Sequence, residues 1–190
     1  MTKARTLASF DATGVLTSTS TLDATKLSGA LPVLDGSALT NLPAGETNTP
    51  AFLATMSAAQ TIANNTDATL QFNSISDGFD TDSGFNTGTY TYTIPVGEEG
   101  KYFMYAGTYL HSNVADKFVA LKFITTQGNK GETYTGSINA NVGVQASAQM
   151  IQTFNAGDTI YMRIYHNFGG SRATSSGIQN TYFGGFKLAE

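Results

Sequence analysis

The chain of 190 residues contains no cysteine and no tryptophan. The missing thiols exclude disulfide scaffolds, thiolate zinc sites, iron–sulfur clusters and cysteine nucleophiles, and they leave the redox compartment open. Charge is scarce: charged residues make up 13% of the chain, about half the share of an average soluble domain. Lys plus Arg numbers 10 against 14 for Asp plus Glu, a formal net charge of −4. A nucleic-acid binder shows a basic stripe and a high isoelectric point, so DNA or RNA is not expected as the main ligand. No apolar run reaches the ~20 residues needed to span a bilayer, so membrane insertion is not expected. Met1-Thr2-Lys3-Ala4-Arg5 starts basic, but no apolar stretch of signal-peptide length follows it, so classical secretion is not expected either.

What is present suffices for a folded domain. The apolar share is 41% with 20 glycines, too much for general disorder. The length suits one full domain plus an appendage. The texture changes near Pro50. Before it the chain is rich in Thr, Ser, Ala, Leu and Asp, and Phe10 is the sole aromatic. Pro43-Ala44-Gly45-Glu46-Thr47-Asn48-Thr49-Pro50 reads as a linker. The division is therefore 1–49 and 50–190.

The first segment repeats with a period of twelve: Phe10-Asp11-Ala12-Thr13-Gly14-Val15, Leu22-Asp23-Ala24-Thr25-Lys26-Leu27 and Leu34-Asp35-Gly36-Ser37-Ala38-Leu39. Each copy is too poor in apolar surface to fold alone, and such repeats gain stability by stacking on neighbours or other chains. The second segment is β in texture. Strands are expected at Thr89–Ile94, Tyr102–Leu110, Phe118–Ile124, Met150–Phe154, Thr159–Tyr165 and Thr181–Leu188. Turn signals separate them at Gly97–Gly100, Gly128–Gly131, Ala156–Asp158 and Gly169–Ser171. Many short strands without helical periodicity argue for an all-β sandwich. Along Thr159–Tyr165 one face is aliphatic (Ile160, Met162, Ile164) and the other aromatic and polar (Tyr161, Arg163, Tyr165). The first suits a core; the second suits solvent or a subunit interface, and low charge with exposed tyrosines favours the interface.

Four motifs in order carry a resemblance. They are Ala51-Phe52-Leu53-Ala54; Gly88-Thr89-Tyr90-Thr91 with Ile94-Pro95-Val96-Gly97 and Gly100-Lys101-Tyr102-Phe103; Ala156-Gly157-Asp158-Thr159-Ile160; and Tyr182-Phe183-Gly184-Gly185-Phe186-Lys187-Leu188. Residues 50–190 thereby resemble the globular head of complement C-one-q, the tumour-necrosis-factor-like jelly roll. The pattern departs from that family in the Glu98-Glu99 insertion and in lacking cysteine and tryptophan. The resemblance implies an all-β jelly-roll sandwich of about ten strands that assembles as a tight homotrimer. Leu34–Pro43 resembles shaft or collar repeats of bacteriophage tail fibres, and Lys3–Phe10 is similar to segments in fibres of marine phages. Together they imply a virion protein, tail or fibre, whose stem attaches to other virion proteins and whose head meets the host surface.

Chemistry is harder to find. His111 and His166 sit at strand ends. No Gly-x-Ser-x-Gly elbow, His-Glu-x-x-His motif, phosphate-binding loop or dinucleotide fingerprint accompanies them. Glycosidase carboxylates must face each other about 5–9.5 Å apart across a cleft, and the acids here fall mostly in turns. No catalytic residue and no cofactor are expected. Asp77, Asp80 and Asp82 are the candidates for a structural calcium ion; they read more readily as an Asp/Gly turn capping its own backbone. Starting from Asp80, the twelfth position is Thr91 rather than a bidentate Glu, so the EF-hand spacing fails.

Strand parity, with the even count of eight main strands that the jelly-roll resemblance implies, locates a binding end. If the stem enters and the chain leaves at one end, alternate connections lie at the far end: Ser57–Asp67, Val96–Glu99, Tyr134–Ala146 and Asn167–Gln179. Loops rich in Asn, Gly, Ser and Thr suit recognition on a rigid scaffold, and these side chains supply the directed hydrogen bonds sugars need. The expected ligand-binding residues are Asn139, Asn141, Asn167, Ser171, Arg172 and Thr174, with Arg172 meeting an anionic glycan group. Three copies on one tip would multiply weak affinity. The rival readings are a purely structural fibre, collar or decoration protein, and a secreted lectin of a cellular organism.

Overall fold

Phe52 stacks on Tyr92 with ring centroids 4.0 Å apart, and Phe183 closes edge-on against Phe52 at 4.9 Å. These rings sit between two β-sheets. The computed structural model describes residues 48–137 and 139–188, without the Asp77 side chain. The twelve-residue repeats of the expected stem lie outside the described residues.

Thirteen strands follow in chain order: β1 (Ala51–Thr55), β2 (Thr61–Ile62), β3 (Ala68–Thr69), β4 (Ser74–Asp80), β5 (Phe85–Asn86), β6 (Thr91–Thr93), β7 (Gly100–Leu110), β8 (Phe118–Thr125), β9 (Gly128–Gly136), β10 (Val144–Phe154), β11 (Thr159–His166), β12 (Arg172–Ala173) and β13 (Tyr182–Lys187). One sheet runs β10-β7-β13-β1-β4; the other runs β5-β6-β11-β8-β9, with β3 also on β11; β12 pairs with β2. The result is an all-β sandwich, as the strand texture implied, in the jelly-roll arrangement that the resemblance implied. Four of the thirteen strands are only two residues long, which accounts for the excess over the expected ten.

Alternation builds the core. Ile160, Met162 and Ile164 of β11 are fully buried, as are Val119, Leu121 and Phe123 of β8 and Tyr102 and Met104 of β7. Each large apolar side chain removed from water in this way contributes roughly 1.5–3 kcal/mol.

Three expectations shift, each for a local reason. The strand expected from Thr89 starts at Thr91, because Tyr90 takes φ 61° in a turn. The Gly128–Gly131 signal is not the turn itself. Thr126 and Gln127 make the two-residue hairpin, held by Thr125 Oγ1 donating to Gly128 O at 2.8 Å. Gly131, at φ 64°, is the extra residue of a bulge opposite Lys122 and Phe123. Asp77 to Asp80 lie in strand β4 rather than in a turn. Gly78 lets that strand approach β1, since a Cβ there would come 1.9 Å from Leu53 O.

The registers fix the ends. Ala51 pairs with Phe186, Lys187 with Tyr102, and Gly100 with Phe154, so both termini of the described domain share one end, the base. The connections 56–67, 111–117, 137–143 and 167–181 lie at the other end, the apex. Val96–Glu99 is at the base, contrary to the parity expectation. The short strands β2 to β6 break the simple alternation on which parity relies. The 134–146 loop contracts to 137–143, its flanks being absorbed into β9 and β10.

Candidate functional site

The apex is knitted together by backbone hydrogen bonds between loops. Asn113 N–H donates to Val142 O at 3.0 Å, and Asn141 N–H donates to Asn113 O at 3.0 Å. The Asn113 side-chain oxygen accepts from Val142 N at 3.2 Å. Asp116 N–H donates to Ser137 O at 2.9 Å, and Ser137 N–H returns to Lys117 O at 2.8 Å. The 111–117 connection, which sequence parity did not place here, is thus half of the apical architecture. A shallow cleft of about 250 Å³ lies beside it, lined by Asn113, Ser137, Asn139, Val142 and Gln145 among others.

The six expected ligand residues divide. Asn139, Asn141 and Ser171 are exposed at the apex, Asn141 with φ 62°. Asn167 is half-buried, and its Oδ1 accepts from Phe118 N at 2.8 Å, closing its loop onto β8. Arg172 is half-buried too. Its guanidinium donates to three backbone carbonyls: Ser112 at 2.5 Å, Ser171 at 2.9 Å and Phe168 at 3.1 Å. It is a clamp between apical loops. Thr174 is fully buried. Its Oγ1 accepts from Gln60 N at 2.9 Å, which removes it from the ligand-facing surface. Sequence composition marks polar loops but not which of their side chains are spent on holding the loops in place.

The histidines differ from each other. His111 is exposed, 2.8 Å from Ser175 Oγ and edge-on to Tyr109. No carboxylate orients its ring among the described residues, so a nucleophile–base–acid relay is incomplete. His166 is fully buried. Its Nε2 faces Ile62 O at 3.1 Å and its Nδ1 accepts from Phe168 N–H at 3.3 Å. A carbonyl can only accept and an N–H only donate, so the two partners select the neutral Nε2–H tautomer. Burial holds its pKa below the ordinary 6.5, and the Arg172 charge acts in the same direction.

The acidic candidates sit near the base. Asp80 accepts from Gly84 N at 3.1 Å and Phe85 N at 2.9 Å, and Asp82 accepts from Thr81 Oγ1 at 2.5 Å. No group of three or more His, Asp or Glu side chains is placed to hold a metal among the described residues. Glu98 pairs with Lys187 at 3.1 Å, whereas Glu99 is exposed.

The most distinctive surface was only half legible. The outward face of the first sheet carries Phe103, Tyr105 and Tyr109 of β7, Tyr182 and Phe186 of β13, Leu53 of β1 and Ile151 of β10. Phe103 lies 5.9 Å from Tyr105 and 5.6 Å from Phe186, and Tyr105 lies 6.1 Å from Tyr182. Ile151 is 63% exposed. No charged residue occurs in 51–55, 103–109, 145–151 or 182–186. The Tyr161, Arg163, Tyr165 face, favoured from sequence as an interface, belongs to the opposite sheet and is laced with charge.

No family model and no curated protein sequence matches the chain. Solved structures do match in fold. The globular domain of zebrafish complement 1qA superposes with a TM-score of 0.52 at 17% identity, covering 74% of this chain and 98% of its own. The Eiger TNF of S. frugiperda superposes with a TM-score of 0.50 at 14% identity, covering 74% and 92%. The chain therefore carries the jelly-roll fold seen in these complement and TNF domains. At such identity the likeness is one of fold.

Proposed function

We propose that this chain is a non-enzymatic binding protein of a phage virion, a homotrimeric fibre tip that engages the bacterial surface. The observation that carries the reading is the aromatic, charge-poor centre of the first sheet's outward face, where Phe103, Tyr105, Tyr182 and Phe186 cluster. Half-buried rings beside an exposed Ile151, with little charge among them, have the composition of a buried interface core, and a monomer would leave their outer faces in water. Packing three copies through that face puts three apices side by side. The exposed Asn139, Asn141 and Ser171 would then be displayed in triplicate, and weak contacts with a host glycan would add up. The twelve-residue repeats before Pro50 support a stem joined to other virion proteins, and the virion as the place of action.

A structural fibre, collar or decoration role without a receptor is the second reading. It is favoured by one observation: Asn167, Arg172 and Thr174 are engaged in holding the apical loops. Adsorption competition separates the two. Purified protein is used to saturate a panel of candidate bacterial hosts before phage is added. Reduced adsorption on one host supports the receptor-binding tip. A confirmed trimer that binds no host supports the structural role. A monomer by light scattering at micromolar concentration removes the trimer from both.

A further inference from the structure

His166, the last residue of β11, holds the start of the 167–171 loop from inside. Its ring is fully buried, as is Phe168, and the two lie nearly parallel with centroids 5.1 Å apart. Ring and backbone are both tied to neighbouring chain. Nε2 faces Ile62 O of β2 at 3.1 Å, and His166 O accepts from Asn65 N–H at 2.8 Å. Nδ1 accepts from Phe168 N–H at 3.3 Å. Phe168 O in turn accepts from Arg172, whose Nε also holds Ser112 O of the 111–117 connection. An unbroken run of contacts therefore leads from the buried ring through the first apical loop to the second. Gly169, at φ 84°, follows Phe168 and gives the loop a hinge.

This seat suits only a neutral ring. Nε2 must donate to a carbonyl and Nδ1 must accept from an N–H. A second proton takes away the acceptor and sets two N–H groups face to face. It also puts a charge in a fully buried place, where an unpaired ion is costly. Among the described residues no carboxylate acts on the ring, and the charge that does is that of Arg172 on β12, which opposes the proton. β2 offers Ile62 O, and β8 offers the apolar Val119, its register partner. In the 63–67 connection, Asp67 is paired with Lys122 at 3.0 Å. Asp116, Lys117 and His111 of the 111–117 connection are exposed.

We propose that His166 is an acid-operated latch for the apex: a proton on its ring unseats Phe168 and frees the 167–171 and 111–117 segments together, while both sheets persist. The sheets persist because His166 is the last of the positions, Ile160 to His166, at which β11 pairs with β8. The change frays a strand end rather than a core. Linkage sets the direction. In the opened loop the ring meets water and takes its ordinary pKa of about 6.5; in the closed loop burial holds it lower. Opening therefore binds a proton, and the open fraction rises roughly tenfold per pH unit from 6.5 down to the closed-state value. Above 6.5 it is constant. The latch needs neither the trimer nor a glycan. It adds a condition to the apex: whatever meets Ser171 or Asn141 there finds ordered loops at neutral pH and loosened loops in acid.

The test is amide hydrogen exchange of the full chain at pH 7, 6 and 5, corrected for the intrinsic pH dependence of exchange, with and without urea too dilute to unfold it. The N–H groups of Phe168, Asn113 and Asp116 are expected to exchange faster than those of β7 and β10 at every pH, through an opening that urea leaves unchanged. Their protection is expected to fall roughly tenfold from pH 6 to pH 5. The chain has two histidines, so two variants complete the test. His111→Gln, at an exposed residue, keeps the fold and is expected to keep the whole effect. His166→Gln is expected to abolish it; should that variant fail to fold, His111→Gln decides, because His166 is then the sole histidine. Unchanged protection at pH 5 overturns the proposal. So does protection with the level and urea dependence of β7 and β10, since the loops would then open only with the whole fold. An effect lost in His111→Gln, or retained in a folded His166→Gln, overturns it as well.

Discussion

Gly107 lies beneath the Tyr182 ring, and a Cβ built on it would come 2.6 Å from Tyr182 Cζ. Gly184 lies beneath Tyr105 in the same way, also at 2.6 Å. Glycine at these register positions lets the rings of β7 and β13 lie flat across the sheet. The aromatic face is therefore set by residues that present no side chain at all.

The first prediction separates the fold from the assembly. At Gly107 the three atoms nearest an added Cβ, all closer than 3.0 Å, belong to the far end of the Tyr182 ring. Gly107→Ala therefore displaces the ring and spares the strands. Light scattering across a dilution series is expected to show a trimer that dissociates at roughly tenfold higher concentration or more, with far-ultraviolet circular dichroism unchanged. Ile151→Lys, which places a charge on the same face, is expected to do the same. Unaltered trimers in both variants would remove this face from the interface.

The second prediction concerns acid. His166 is neutral in the fold and its pKa is held below 6.5, first by burial. Protonating Nδ1 would set its new N–H against the Phe168 N–H. The unfolded chain therefore binds more protons below pH 6.5, and stability falls as pH drops from 6.5 through the lowered value. Above 6.5 this contribution is fully present. Asp158 acts in a separate window. The Thr126 hydroxyl leads the hydrogen bonds that hold it below 3.8, so its stabilisation is lost only as pH falls through that lower range. Urea midpoints measured from pH 8 to 4 should decline below 6.5 in the wild type. His166→Gln should flatten the decline above pH 5.

Much of this architecture was legible in the chain. The aliphatic row Ile160, Met162, Ile164 announced a one-sided strand, and the motifs around Tyr102 and Tyr182 announced the jelly roll. Strand β4 was hidden because Asp77, Gly78 and Asp80 have turn chemistry, and its place depends on the contact between Gly78 and Leu53, which are distant in sequence. The apical residues were half legible for a related reason. A polar loop residue facing solvent and one clamping a neighbouring loop have the same sequence signature. Arg172 is the clearest case, since its carbonyl partners include Ser112, sixty residues away. The aromatic face could be read strand by strand, but composition could not show that β7, β13 and β1 lie side by side.

The third prediction follows from that clamp. Arg172→Ala frees three carbonyls at the apex and is expected to cost about 1–2 kcal/mol, the net value of charged hydrogen bonds discounted for partial exposure. Hydrogen exchange should quicken in 111–117 and 167–177 while β7 and β10 stay protected. Slower adsorption in this variant would then be an effect of loop order, and Arg172→Lys, which cannot reach three carbonyls in one plane, should not restore it.

The fourth prediction concerns calcium near the base. Asp80 directs both carboxylate oxygens at backbone N–H groups, Gly84 and Phe85, and Asp82 takes the Thr81 hydroxyl. Calcium needs six to eight oxygens, and these are already occupied in shaping the turn into β5. If an ion bound the folded state here, calcium at a hundred times its dissociation constant would add about 2.7 kcal/mol to stability. We therefore expect the melting temperature to be the same in millimolar calcium and in excess EDTA. Asp80→Asn should lower it in both, because an amide keeps one acceptor where the turn uses two. A rise in melting temperature with calcium that Asp80→Asn abolishes would reverse this assignment and make the base a cation site.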